Sequence, residues 1–207
     1  AGVMGFKAFL THSGIEDFPN TSLKDLEKSA AILKKFNLPL LAHAELDTKH
    51  NGLKAFDEDT ESYKAFLASR PRIWEDEAVK ELIALCEKTK VRVHVVHLSS
   101  SDSIAQIAAA RTKGLPFTVE TCPHYLFFDA ESIPDGDTRY KCTPPIREKE
   151  NNAKLWQALK NGVLDFVVTD HSPAPSEIKE IESGNLKEAW GGISSIQFSL
   201  PVVWTVA

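Results

Sequence analysis

The sequence predicts a parallel α/β fold containing about five βα units. Three observations lead there. Five short runs are rich in Val, Leu, Ile and Phe, amphipathic segments alternate with them, and four of the runs end near a residue able to bind metal or exchange a proton. Apolar strands alternating with amphipathic helices describe a sheet covered on both faces.

The elements follow in order. GVMGFKAFL (residues 2–10) reads as the first strand, and Ser22 is placed to cap a helix carrying Leu23, Leu26, Ala30 and Leu33 at helical spacing. LPLLAHAE holds the second strand. A long connection runs from residue 46 to about 72, and Ala78, Val79, Leu82, Ile83 and Cys86 then mark one face of a helix. VRVHVVHL is the third strand, and its helix (Ile104, Ile107, Ala108) stops at Gly114. LPFTVET is the fourth. An irregular Pro-rich excursion from CPHYLFF to KCTPPIR leads into a helix with Leu155, Trp156 and Leu159, ended by Gly162. VLDFVVTD is the fifth strand, followed by a polar loop and GGISSIQFSLPVVW, read as a helix whose pattern Pro201 interrupts. No GxGxxG follows any strand. Five units fit either a doubly wound sheet or part of a (β/α)8 barrel, and periodicity leaves both open.

Composition narrows the function classes. The chain has 207 residues, 43% of them hydrophobic and 26% charged, as in ordinary globular proteins. A net charge of −5 gives no overall pull toward nucleic acid or an anionic membrane. No apolar run reaches the ~18 residues of a membrane span. Cys86, Cys122 and Cys142 are odd in number and lack CxxC spacing, which argues against a disulfide framework and for a reducing, cytoplasmic setting.

The chemistry gathers at strand ends. Lys7, His43, His97 and Asp170 each stand at or near the C-terminal end of a strand, the face that carries the active site in parallel α/β folds. One histidine there means little, but the recurrence of nitrogen and oxygen donors at equivalent ends points to a shared site. Lys7 lies between Phe6 and Ala8; taken alone it reads as a lysine snorkelling from a strand edge, whereas burial would lower its pKa and allow a neutral amine to add CO2 as a carbamate. Residues three apart on a strand face opposite ways, so His97 is the better ligand and His94 the structural one. His50, beside Asn51 and Gly52, reads as a solvated loop residue, and Cys122-x-His124 offers too few donors for a metal site of its own.

GFKAFLTHSG, LLAHAE, HVVHLSS, TCPHYL, KCTPPIR, VTDHSP and WGGISSIQ occur in this order along almost the whole chain. Together they resemble the cyclic-amidase branch of the amidohydrolase superfamily, which holds allantoinases, hydantoinases/dihydropyrimidinases and dihydroorotases. THSG, DHSP and AWGGISS resemble the allantoinases most.

The resemblance implies a (β/α)8 barrel with a binuclear centre, usually zinc, with Fe, Mn or Co compatible with the same ligands. It implies that Lys7 is the carboxylated, bridging lysine, that His43 and His97 bind the second metal, and that Asp170 binds the first and carries the proton. It further implies a small cyclic ureide as substrate, hydrolysis of allantoin to allantoate in purine catabolism, and a homotetramer. The family's HxH metal pair occurs nowhere in this sequence. His12 stands where hydantoinases place an oxyanion-stabilising tyrosine. Thr143 and His171 are candidate substrate contacts, His124 a partner behind the ligands, Arg147 a loop anchor, and Gly191 and Gly192 points of close approach. Residues 1–207 are expected to be one catalytic-barrel segment truncated at both ends, poorly stable and inactive alone. Hydantoinase activity and a non-catalytic, dihydropyrimidinase-like scaffold are the competing expectations.

Overall fold

In a computed structural model that describes residues 2–47 and 56–207, five parallel strands form one sheet in the order β1-β2-β3-β4-β5. They are β1 Phe6–Phe9, β2 Leu40–His43, β3 Val93–Val95, β4 Phe117–Thr121 and β5 Phe166–Val167. Each falls inside a predicted apolar run. Helices follow at α1 Leu23–Lys35, α2 Tyr63–Ser69, α3 Arg72–Thr89, α4 Ile104–Thr112, α5 Pro123–Phe127, α6 Lys149–Lys160 and α7 Ser199–Val206. His50 lies outside the described residues.

Strand register determines which side chains share a face. Phe6, Lys7, Ala8 and Phe9 pair with Leu40, Leu41, Ala42 and His43 in turn, and Leu40, Leu41 and Ala42 pair with Val93, His94 and Val95. Side chains alternate along a strand. Ala8, Leu40, Ala42, Val93, Val95, Phe117 and Val119 are therefore turned to the helices, where all are buried. Lys7, Phe9, Leu41, His43, His94, Thr118 and Glu120 share the opposite, concave face.

Local chemistry sets the boundaries. Ser22 caps α1, its Oγ accepting the Asp25 N–H at 3.2 Å. Leu26, Ala30 and Leu33 of α1 are buried, and α1 packs on α3, which contributes Ala78, Val79, Leu82 and Cys86 to the core. Gly114 closes α4 with φ +70°, and Gly162 follows α6 with φ +68°. Three expectations change. The connection after residue 46 contains α2, capped by Ser62, whose Tyr63 and Phe66 are buried. The Pro-rich excursion contains α5, begun by Pro123. Pro201 falls in the first turn of α7, where its missing N–H costs no intrahelical bond, so it does not interrupt that helix.

Candidate active site

Lys7 and His43 come from neighbouring strands, β1 and β2, on the concave face. Lys7 Nζ lies 4.8 Å from the centroid of the Phe9 ring, and that ring is 5.4 Å from the His43 ring. His97 follows β3 with φ +42°, and Asp170 follows β5 with the same value. Positive φ is uncommon for residues with a Cβ and costs about 1–3 kcal/mol when held in place. Two of the four predicted ligands are thus aimed by unusual backbone.

The centre is a histidine pair. His43 Nδ1 stands 3.2 Å from His97 Nε2, while His43 Nε2 meets Glu45 Oε2 at 2.7 Å. Both imidazoles and Glu45 are buried. Glu45 also takes two hydrogen bonds from Arg70, through Nε at 3.1 Å and through Nη2. Burial alone would raise the Glu45 carboxyl, but Arg70 and His43 hold it well below the ordinary carboxylate range. An ionised Glu45 accepts the Nε2 proton and leaves the His43 Nδ1 lone pair directed at His97. Burial, with the nearby charges of His43 and Lys7, pushes the His97 imidazole well below its ordinary value. His97 Nδ1 finds no hydrogen-bond partner.

This pair fits a metal. Zinc–nitrogen distances of about 2.0–2.1 Å make the edge of a tetrahedral site about 3.3–3.4 Å. The observed 3.2 Å between the two imidazole nitrogens is close to that edge. Asp170 belongs to the same electrostatic neighbourhood. Desolvation raises its carboxyl while Lys7 and His43 lower it. Lys7 and His43 share the concave face, His97 joins it through His43, and Asp170 follows the strand paired with β4.

Lys7 is exposed, with Phe6 also exposed and Phe9 only half-buried beside it, as the snorkelling reading expects and the buried one does not. One expectation needs correction here. His94 and His97 do not face opposite ways. β3 ends at Val95, and the positive φ at His97 breaks the alternation on which that expectation rests. His94 is nevertheless engaged elsewhere, with Nδ1 2.8 Å from Thr118 Oγ1 and Nε2 2.8 Å from Glu120 Oε2.

The remaining candidates divide. His12 lines a separate cleft with Thr11, Asn20 and Asp47, and its Nδ1 accepts the Gly14 N–H at 3.0 Å. His171 Nδ1 accepts the N–H groups of Ser195 and Ile196 at 3.1 and 3.2 Å, so that nitrogen anchors a loop. Thr143 Oγ1 borders Gly191, where an added Cβ would lie 3.6 Å from it, and Gly192 packs so closely on Ser172 that no side chain fits. His124 is buried with both ring nitrogens unpartnered, and burial takes its pKa down to about 3.

The loop bearing Thr143 is held by three hydroxyls. Tyr125, Ser99 and Tyr63 donate to the carbonyls of Pro144, Pro145 and Ile146 at 2.8, 2.5 and 3.1 Å. Arg147 ends the loop with a bond to buried Glu75 at 2.8 Å, as its anchoring role predicts. Glu75 Oε2 in turn accepts the N–H groups of Ser99 and Ser100 at 2.9 and 3.0 Å, just beyond His97. Asn151 closes the same turn from α6, accepting the Ser101 N–H and donating to the Ser99 carbonyl, each at 2.8 Å. Glu45, Arg70, Glu75 and Asn151 escape a search for strand-end donors. Only Glu45 carries a local sign, an acid two residues after a strand-end histidine in an apolar run.

No protein-family model matches the chain. The allantoinase of Streptomyces avermitilis is 48% identical over 207 residues, covering all of this chain and 45% of that protein. The allantoinase of Arabidopsis thaliana is 45% identical over 213 residues, covering 99% and 42% respectively. Among solved structures, the L-hydantoinase (dihydropyrimidinase) of Arthrobacter aurescens superposes with a TM-score of 0.88 at 27% identity, covering 98% of this chain and 45% of that one. The chain is similar along its whole length to allantoinases, and its solved structural neighbours are hydantoinases and dihydropyrimidinases of the amidohydrolase superfamily. Its five strands and their helices correspond to part of the amidohydrolase barrel, which decides between the two architectures open from sequence. The chain spans less than half the length of these relatives. Among the described residues, no helix is long and apolar enough to cross a membrane.

Proposed function

We propose that the whole protein hydrolyses the cyclic amide of a ureide, converting allantoin to allantoate in purine catabolism. The observation that carries this reading is the 3.2 Å His43–His97 pair on the face bearing Lys7 and Asp170, in a chain similar throughout to allantoinases. The catalytic unit is one barrel to which residues 1–207 contribute a segment, and the HxH pair of the family is supplied from outside this sequence.

His43 and His97 would hold one divalent ion, Asp170 would serve a second, and Lys7, as its carbamate, would supply an anionic oxygen ligand to the centre. Zinc suits this imidazole and carboxylate set, as do iron, manganese and cobalt. When bound, two such ions lower the pKa of a water and polarise the scissile carbonyl. Asp170 accepts the proton that the attacking water gives up as the carbon–oxygen bond forms. It then returns that proton to the ring nitrogen as the carbon–nitrogen bond breaks. Thr143 and His171 border the ureide. His12, at the position of the hydantoinase tyrosine, is a further candidate substrate contact, and His124 stands behind the ligands. The three thiols, all free and buried, fit a reducing cytoplasm, and a homotetramer is the proposed assembly.

Turnover of allantoin, hydantoin and dihydrouracil by the full-length protein tests the substrate. Allantoin is expected to be hydrolysed fastest. Faster dihydrouracil turnover would assign the chain to the dihydropyrimidinases, a related family represented among its structural neighbours. Glu45→Gln supplies a second check. A partner that orients a ligating imidazole is worth about 10–100-fold in metal affinity, so chelator competition should show a loss of that size. Unchanged affinity would remove Glu45 from the centre.

A further inference from the structure

A second donor group lies between the end of β4 and the end of β5. Cys122 Sγ, a ring nitrogen of His124 and a carboxylate oxygen of Asp170 all lie within 4.8 Å of one another. Cys122 and His124 are buried, while Asp170 is exposed. Neither His124 nitrogen has a hydrogen-bond partner. A neutral imidazole always presents one N–H and one lone pair, and leaving such groups buried and unmatched costs about 1–3 kcal/mol each. A ligand that takes the lone pair relieves part of that cost.

We propose that Cys122, His124 and Asp170 form a three-donor site for a soft divalent cation, zinc or cadmium. One thiolate, one imidazole and one carboxylate, with water as the fourth ligand, is a set that suits such ions. Ligand atoms around zinc stand about 3.3–3.6 Å apart, so the three must close by roughly 1 Å. The exposed Asp170 side chain has room to make that move. Binding releases the Cys122 proton to solvent as the metal–sulfur bond forms. The site joins two residues from one short segment to a third across the sheet, which is why Cys122-x-His124 looks too small from sequence. Resting on the function proposed above, occupation would also draw Asp170 from its proton-carrying position and inhibit hydrolysis at elevated metal.

Cadmium titration of the full-length protein tests binding by near-ultraviolet absorption, where cadmium–thiolate charge transfer is read without reference to turnover. A saturable band is expected in the wild-type protein. It should vanish in Cys122→Ala and persist in Cys86→Ala and Cys142→Ala, with folding followed by circular dichroism. His124→Gln should weaken cadmium binding by about tenfold or more. Absence of a wild-type band, its survival in folded Cys122→Ala, or unchanged affinity in His124→Gln would each overturn the site. Allantoin hydrolysis by the wild-type protein is scored separately. A cadmium band with no hydrolysis supports this site and sinks the proposed activity, whereas hydrolysis without a band does the reverse.

Discussion

Replacement of Lys7 by alanine is expected to lower the proposed ureide hydrolysis of the whole protein on the order of 10³-fold. The expectation comes from what the residue contributes as a carbamate, an anionic group with two oxygens on the face that carries the His43–His97 pair. Metal assistance to a hydrolytic step is worth several kcal/mol, and about 4 kcal/mol corresponds to ~10³ in rate. Lys7 is exposed and its substitution opens no cavity, so the fold is expected to persist. Added short carboxylic acids should restore part of the activity by occupying the position of the missing group. Normal turnover of Lys7→Ala without such acids would sink the bridging assignment.

Arg147→Met is expected to destabilise the protein by about 3–5 kcal/mol, the cost of stranding one charge of a buried pair. Arg147 and Glu75 are each about 1% exposed in their side chains, 2.8 Å apart. Burial already raises the Glu75 carboxyl against the pull of Arg147, so removing the guanidinium takes away its main counter-charge. Urea unfolding of the whole protein measures the loss. Combining Arg147→Met with Glu75→Gln should recover part of it, because the side-chain amide keeps an acceptor for the Ser99 and Ser100 N–H groups without a buried charge. A single-variant loss below about 1 kcal/mol would show that the pair is solvated or redundant.

Much of the strand-helix order was legible because each strand is a short apolar run and several helices carry their own punctuation. Ser22, Gly114 and Gly162 stand where the backbone needs a side-chain acceptor or a positive φ. That Lys7, His43, His97 and Asp170 stand at or near strand ends was legible for a related reason, since parallel strands deliver their C-terminal ends to one edge of the sheet. What failed was parity at His97. Alternation assumes regular extended backbone, and the strand stops two residues earlier. The side chains that hold the site lay beyond reach for another reason. Arg70 meets Glu45 from 25 positions away, and Arg147 meets Glu75 across 72. Such pairs have no period or spacing, and only the folded chain brings them together. α2 was a milder omission, because Ser62 with Tyr63 and Phe66 carries a cap and a helical interval that a shorter window would catch.

The two positive φ values have a consequence for engineering. At position 170 the backbone favours Gly or Asn over most residues, yet the proposed chemistry needs a carboxylate there. The side chain is exposed, so shortening it leaves no hole in the core. A library selected for heat resistance alone should therefore drift toward Asp170→Asn or Asp170→Gly and recover sturdier, inert protein. Position 97 has the same backbone preference but is guarded, because a smaller residue would empty a buried space beside His43. Screens for robustness should hold residue 170 fixed.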